Sequence, residues 1–380
     1  VSSDTSRAPY ALPSAITDAL QEAKADTSKP RRAMPPAFYT SPEVSNAEQT
    51  AVFGDGWICV GRADEVAKPG DYFTTTVIGE SLVVVRGGDG TVRVMANVCR
   101  HRSSLVATGA GSARQLMCPY HHWSYDLDGS LKRAPLMDQV DGFDPAQCGL
   151  HQFAVEQWMG WVFVNLSGTA EPLAPQVAEL DQYVAGYHTE EMRTVKAGPE
   201  QWPVNWKCLA ENFMEGYHLT PVHLNTLHPM TPTSLCQKIP GRPAFTGYKS
   251  HYSPGFEGRP PFHPDMTQEQ KNMSMMVWIY PGFVAAISPN SAVYMSLTPT
   301  GAEGVQTRWG VVAREELFEQ GTAGDRWDFA ASYNAEDKVR LTSLQRGLNS
   351  QFAVRGALAP DDYEGCTWDF YQYLAGRLLP

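Results

Sequence analysis

The sequence has no apolar run long enough to cross a bilayer. The longest, Val277 to Ile287, is interrupted by Pro281 and Gly282, whereas a membrane helix needs about 20 apolar residues; it reads as a buried strand region. An excess of positive charge is missing too. Thirty Lys and Arg stand against 41 Asp and Glu, a net charge of −11, which argues against a nucleic-acid backbone as partner because that needs a basic face. An acidic surface suits a basic redox partner better. Seven cysteines, an odd number in a long chain, do not make a disulfide framework. No basic segment followed by an apolar core opens the chain. These absences point to a cytoplasmic protein that engages neither membrane nor nucleic acid. What is present, 43% hydrophobic and 19% charged residues over 380 positions, is an ordinary globular mixture with room for two domains.

Residues 1 to about 45 are rich in Ser, Ala and Pro, and read as an N-terminal arm with one short helix around Ser14–Lys24. From residue 46 to 166 the texture becomes short β segments, Trp57–Val60, Tyr72–Ile78, Ser81–Val85 and Val92–Ala96, separated by Gly- and Pro-bearing turns. Trp158 to Asn165 is expected to be one closing strand. Residues 167–380 read as α+β. A helix is expected from Asn205 to His218, then a Pro-rich stretch, Pro229 to Pro264, that caps a pocket. The β segments Met275–Ile279, Val284–Ser288, Val293–Leu297 and Thr307–Ala313 follow, and helices close the chain at about 326–351 and 363–379.

Within the β domain, Cys99-Arg-His101 and Cys118-Pro-Tyr-His121 are separated by sixteen residues. Two thiolates and two imidazoles on two loops suit either tetrahedral zinc or a Rieske 2Fe–2S cluster, in which two histidines replace two cysteines on one iron. Zinc knuckles set their first two cysteines two to four residues apart, whereas each pair here is Cys–His, so the cluster is the better reading. The second constellation is Glu211-Asn-Phe-Met-Glu215-Gly-Tyr-His218-Leu-Thr-Pro-Val-His223. Residues three and four apart share a helix face, which would gather Glu211, Glu215 and His218. Pro221 would then end the helix and let His223 return beside His218. Two imidazoles and one carboxylate from elsewhere make the facial triad of non-haem Fe(II) sites.

On these residues, with Trp123-Ser-Tyr-Asp-Leu-Asp-Gly129, the chain resembles the α subunit of Rieske non-haem iron oxygenases, the ring-hydroxylating and N-demethylating family, over most of its length from about Trp57. The resemblance implies a small antiparallel β Rieske domain and a helix-grip catalytic domain. It implies that Cys99 and Cys118 hold the inner iron of the cluster, and His101 and His121 the outer one. His122 is then a bystander, and Ser103 stands where the family often has glycine. Tyr120 and Ser104 occupy positions where respiratory Rieske proteins carry an extra cysteine pair, which favours the oxygenase or ferredoxin type, and the chain after the β domain is far longer than a carrier needs.

The resemblance further implies that His218, His223 and a carboxylate from Asn334-Ala-Glu-Asp337 hold a mononuclear Fe(II). Asp337 is the assignment and Glu336 the nearest competitor, with Asp328 and Asp325 behind. Glu215 and Asn212 are the catalytic candidates, Glu215 as an acidic bridge between cluster and iron across a homotrimer interface. Electrons would come from a separate NAD(P)H-dependent reductase and the oxidant would be O2. Glutamate in place of aspartate at 215 resembles the branch that attacks N-methyl groups of quaternary amines such as carnitine or betaine. An aromatic cage for such a head is expected from Phe213, Trp278, Tyr280, Tyr294 and Trp309, with Arg308 or Lys249 facing a substrate carboxylate. The alternative substrate is an aromatic ring. A zinc-stabilised binding module and a Rieske electron carrier stand further off. Cys59, Cys148, Cys208, Cys236 and Cys366 are expected to pack.

Overall fold

The computed structural model describes residues 12–26 and 29–380, and they form two compact units, 57–172 and the remainder. The smaller unit is built from short strands. β1 (Trp57–Arg62), β10 (Trp161–Asn165) and β9 (Ala154–Trp158) make one sheet. β4 (Val92–Ala96), β3 (Glu80–Arg86), β2 (Asp71–Val77) and β5 (Ala110–Ser112) make a second. β6 (Leu116–Met117), β7 (Ser124–Tyr125) and β8 (Leu131–Arg133) make a small third. Val83, Val85, Met95, Leu116, Trp123, Tyr125 and Leu150 fill its core beside Cys99 and Cys118.

The expected single strand over 158–165 is instead two. Met159 and Gly160 both have positive φ, 48° and 86°, and Trp158 pairs with Trp161 across them. Two central residues with φ > 0 make the tight turn whose twist matches a hairpin. The sequence concealed it because Met sits where Asn or Asp usually does.

The larger unit is a seven-stranded antiparallel sheet in the order β11-β17-β16-β15-β14-β13-β12. Its members are β11 (Arg193–Trp202), β12 (Cys236–Lys238), β13 (Phe245–His251), β14 (Met273–Ile279), β15 (Phe283–Ser288), β16 (Ser291–Gly301) and β17 (Gly304–Ala313). β12 and β13 fall inside the stretch expected to be a cap, so only part of that stretch is loop. β11 went unread because its exposed residues and Pro199 mask the pattern; it is an edge strand, where proline is tolerated.

The helices of this unit that bear on the site include α1 (Ser14–Ala25), α2 (Trp206–Met214), α3 (Leu219–Val222), α4 (Ala323–Leu348) and α5 (Asp361–Leu378). α1 buries Ile16, Ala19, Leu20 and Ala23, a one-sided stripe, and packs on α5. Residues 37–40 and 42–53 are helical, and bury Phe38, Tyr39, Val44, Val52 and Phe53. The described part of the expected arm is therefore core of this unit. Lys207 and Glu48 form a fully buried ion pair at 2.7 Å, and Trp206 Nε1 donates to Glu48 at 2.8 Å, which ties that N-terminal segment to α2.

Candidate active site and cluster site

In the β unit, the loop after β4 carries Cys99 and His101, and the loop after β6 carries Cys118 and His121. Both sulfurs are buried and both imidazoles exposed. The two Nδ1 atoms stand 3.1 Å apart, and the His101 ring stacks on Trp123 at 4.9 Å. Tyr125 Oη lies 3.3 Å from Cys99 Sγ and accepts the Arg100 N–H at 3.0 Å. Burial opposes ionisation of Cys118, yet hydrogen bonds from Tyr120, Cys99 and His121 outweigh it and hold the thiol below its ordinary value. Thiolate is the ligand form.

The spread of the donors discriminates between metals. Among the described residues, only two groups of three or more such side chains have ligand atoms all within 4.8 Å of one another, and no three of these four belong to either. One zinc ion would draw four donors to about 2.0–2.3 Å of a single centre. Sulfurs at one end and imidazoles at the other fit two irons better. Ser103 has φ of 60°, the left-handed region where glycine is favoured. His122 is exposed.

In the larger unit, α2 stops at Met214, and Glu215 is extended at φ −114° and ψ 142°. The expected helix through His218 is thus interrupted, and Glu211 is carried away from the site. A Cβ on Gly216 would meet Cys236 Sγ at 2.5 Å, so the break also needs a residue without one. Glu215 caps the next turn: its carboxylate accepts the His218 N–H at 3.0 Å and the His218 Nδ1–H at 2.6 Å. α3 then returns His223.

α4 supplies the carboxylates. Asp337 Oδ1 lies 3.1 Å from His223 Nε2 and 3.7 Å from His218 Nε2, and these three residues form one of the two tight groups. His223 Nε2 and Asp337 Oδ1 are both buried without a hydrogen-bond partner, a costly arrangement that a cation between them would relieve. Glu336 faces the other side of the same ring, accepting from His223 Nδ1 at 2.6 Å and from Thr226 Oγ1 at 2.7 Å. Each imidazole is therefore gripped at Nδ1 by a glutamate, which leaves Nε2 to bind metal. Burial disfavours a charged His218, but Glu215 and Asp337 hold its pKa above the ordinary value.

The second tight group, His188, His263 and Asp265, is internally satisfied: His188 bonds Asp265 at 2.8 Å and Glu190 at 3.1 Å. Glu211 is half-buried, with Tyr39 Oη at 3.0 Å and Tyr371 Oη at 3.4 Å. Burial chiefly pushes its pKa up to about 8.

A cavity of about 660 Å³ opens beside the triad, lined by Asn212, Phe213, His218, His223 and Asp337. Of the five aromatics expected there, only Phe213 lines it. Trp278 is fully buried and packs on Phe370 at 4.1 Å, and Tyr280 stacks on Tyr373 at 4.4 Å. Tyr294 is fully buried near Phe283, and Trp309 stacks on Trp327 at 3.9 Å. All four point from the sheet into packing, a strand face that alternation alone cannot orient. Neither Arg308 nor Lys249 lines the cavity, and Lys249 is ion-paired with Glu269 at 2.8 Å. The lining aromatics are Phe213, Tyr248, Tyr252, Phe256, Phe329 and Tyr333. Sequence reasoning missed Tyr333, Asn334 and Arg326. The signal was there: Asn334, Asp337, Leu341 and Gln345 are all buried on α4, so polar residues share its buried stripe.

A β domain with a paired Cys–His loop set, together with an antiparallel sheet whose covering helical segments carry two histidines and a carboxylate, is the architecture of the Rieske non-haem iron oxygenases. The Rieske [2Fe-2S] domain family matches residues 56–144, and the ring hydroxylating alpha subunit (catalytic domain) family matches residues 181–379, more than half of the chain. The chain belongs to the ring-hydroxylating alpha subunit family. It is 38% identical over 193 residues to the carnitine monooxygenase oxygenase subunit of Acinetobacter baumannii, covering 50% of this chain and 52% of the relative. It is 35% identical over 222 residues to the glycine betaine monooxygenase oxygenase subunit of Chromohalobacter salexigens, covering 57% and 50%. The chain thus spans about half the length of the curated relatives it matches. A quaternary ammonium Rieske monooxygenase solved with L-carnitine superposes with a TM-score of 0.78 at 26% identity, over 96% of this chain and 99% of that one. Naphthalene 1,2-dioxygenase from Rhodococcus sp. shares the fold, with a TM-score of 0.80 at 20% identity over 96% and 98%.

Proposed function

We propose that this chain is the terminal component of a Rieske oxygenase that hydroxylates a carbon next to nitrogen in an N-methylated quaternary amine. The observation that carries the chemistry is the pair of orphaned buried atoms, His223 Nε2 and Asp337 Oδ1, beside His218 in the wall of a substrate-sized cavity. His218, His223 and Asp337 would hold the iron; Cys99, His101, Cys118 and His121 would hold the cluster. When bound, the cluster supplies electrons one at a time and the iron supplies oxygen activation. Glu215 and Glu336 orient the imidazoles. Phe213, Tyr248 and Tyr333 provide ring faces for a methylammonium head, and Asn212 offers an amide to position substrate or oxygen. One oxygen atom enters the C–H bond, after which the C–N bond breaks to give an aldehyde and an amine. The other leaves as water, with two electrons from an NAD(P)H-dependent reductase and two protons.

Assembly as a homotrimer, with Glu215 bridging to the cluster of a neighbouring copy, is part of the same reading. Inter-subunit electron transfer is attributed to a quaternary ammonium Rieske monooxygenase of this fold. Here Leu105, Met117 and Tyr120 leave apolar surface exposed on the loops of the cluster ligands, and Tyr217 and Leu224 do so beside the triad histidines. Exposed apolar surface of this kind marks contact sites.

The test is a single turnover. Protein reduced chemically and then given O2 with carnitine, γ-butyrobetaine or glycine betaine should release amine or formaldehyde up to the amount of iron present. Product from an aromatic hydrocarbon, and none from any quaternary amine, would overturn the substrate class.

A further inference from the structure

The cavity wall carries two cations that the fold does not neutralise. Arg326 and Arg259 both line it, and no ion pair or side-chain hydrogen bond involves either guanidinium among the described residues. Arg326 Nε is buried without any hydrogen-bond partner. Burial, and then the charge of Arg259, hold the Arg326 guanidinium below its ordinary value against the opposing pull of Asp325. Besides Asp337, the one carboxylate in the lining is Glu257, which is exposed and accepts the Gly255 N–H at 3.3 Å. Arg326 is half-buried and Arg259 exposed; a buried guanidinium nitrogen without a partner is costly, and an incoming anion would remove that cost.

The placement of Arg326 adds a length. It stands eleven residues before Asp337 on α4, which is three turns, so both project from nearly the same face about 16 Å apart along the axis. Phe329, Tyr333 and Asn334, between them on the helix, also line the cavity. Helical side chains lean toward the N-terminus, which carries the guanidinium further from the triad.

Resting on the function proposed above, we propose that Arg326, with Arg259 beside it, binds a carboxylate at the end of the substrate remote from the metal. The substrate is then an N-methylated amino acid whose carboxylate lies on the order of 10 Å from the reacting carbon, a longer molecule than glycine betaine. Arg326 fixes both the charge and the length that the site accepts.

The experiment is calorimetric binding to the holoprotein, wild type, Arg326→Gln and Arg326→Lys, with iron content and cluster absorbance checked to match. The probes are trimethylammonium acids from glycine betaine to an octanoate, their primary amides, and acids in which a tert-butyl group replaces the cationic head. We expect wild type to prefer acid over amide by about ten- to a hundredfold, the worth of a charge-assisted hydrogen bond, with the best affinity among the longer acids. Arg326→Gln should abolish that preference and Arg326→Lys restore part of it. Wild type indifferent to acid against amide, or a preference that survives in Arg326→Gln, overturns the arginine site. The two proposals separate on the head group. Tert-butyl acids binding as well as trimethylammonium acids would sink the quaternary-amine reading and leave the arginine site standing. A trimethylammonium preference without any acid preference would do the reverse.

Discussion

Glu215 and Glu336 grip the two imidazoles from different elements, and their removal should have different consequences. Glu336 lies on α4 next to Asp337 and touches His223 alone among the triad histidines. Glu336→Ala should therefore loosen one ligand and weaken iron binding by about 10- to 100-fold, read as iron lost on dialysis against a mild chelator while the cluster absorbance stays. Glu215→Gln retains the hydrogen-bonding shape but not the charge. It should keep both metals and lose nearly all coupled turnover; normal coupled turnover in that variant would remove the bridging role. Glu211 makes a third case, through stability. Its pKa, raised to about 8 in the fold from an ordinary carboxylate value, means that the folded state holds a proton the unfolded chain has lost. The stabilisation is complete below the unfolded pKa and fades as pH rises toward about 8, by an amount on the order of a few kcal/mol. Melting temperature should fall over that range in wild type and much less in Glu211→Gln, whose amide still meets Tyr39 and Tyr371.

At the scale of elements, what was legible had local causes. Strand pairs with β-branched runs, the closing helices and the Cys–His spacing all arise from short-range chemistry, and β14 to β17 lie within a few residues of their expected bounds, though β16 runs on further to Gly301. The cavity lining was not legible, because which face of a strand meets a pocket depends on partners far along the chain. Trp278 and Tyr280 have the composition of a cage, and α5 claims them. The helix break at Glu215 was missed for a related reason: the carboxylate abandons the helix to cap the next one, a tertiary gain that overrides propensity. The hairpin between β9 and β10 gives a sharp test. Gly160 has φ of 86°, and a Cβ there would strike the Arg62 guanidinium at 2.6 Å, which is buried and donates to the Met159 carbonyl at 2.9 Å. Gly160→Val should destabilise the β unit by about 2 kcal/mol or more, measured as earlier thermal bleaching of the cluster while the iron site persists.

For the molecule as a whole, anaerobically purified protein should contain about three irons and two sulfides per chain. A colourless protein containing zinc would overturn both metal assignments. The trimer can be tested by complementation. Cys118→Ser lacks a cluster and Asp337→Ala lacks a mononuclear site, so each should be inactive alone. Coexpressed, they should recover part of the activity if electrons cross between copies, and none if transfer stays within one chain. The order of the two units along the chain has a consequence for biosynthesis. Residues 57–172 form an uninterrupted segment, whereas the other unit is assembled from residues on both sides of it, with α1 packed on α5. On a ribosome, where domains fold as they emerge, the cluster unit can close early. The iron-site unit must hold the apolar stripe of α1 uncovered until α5 has been made, so surface made before the cluster unit is among the last to be covered.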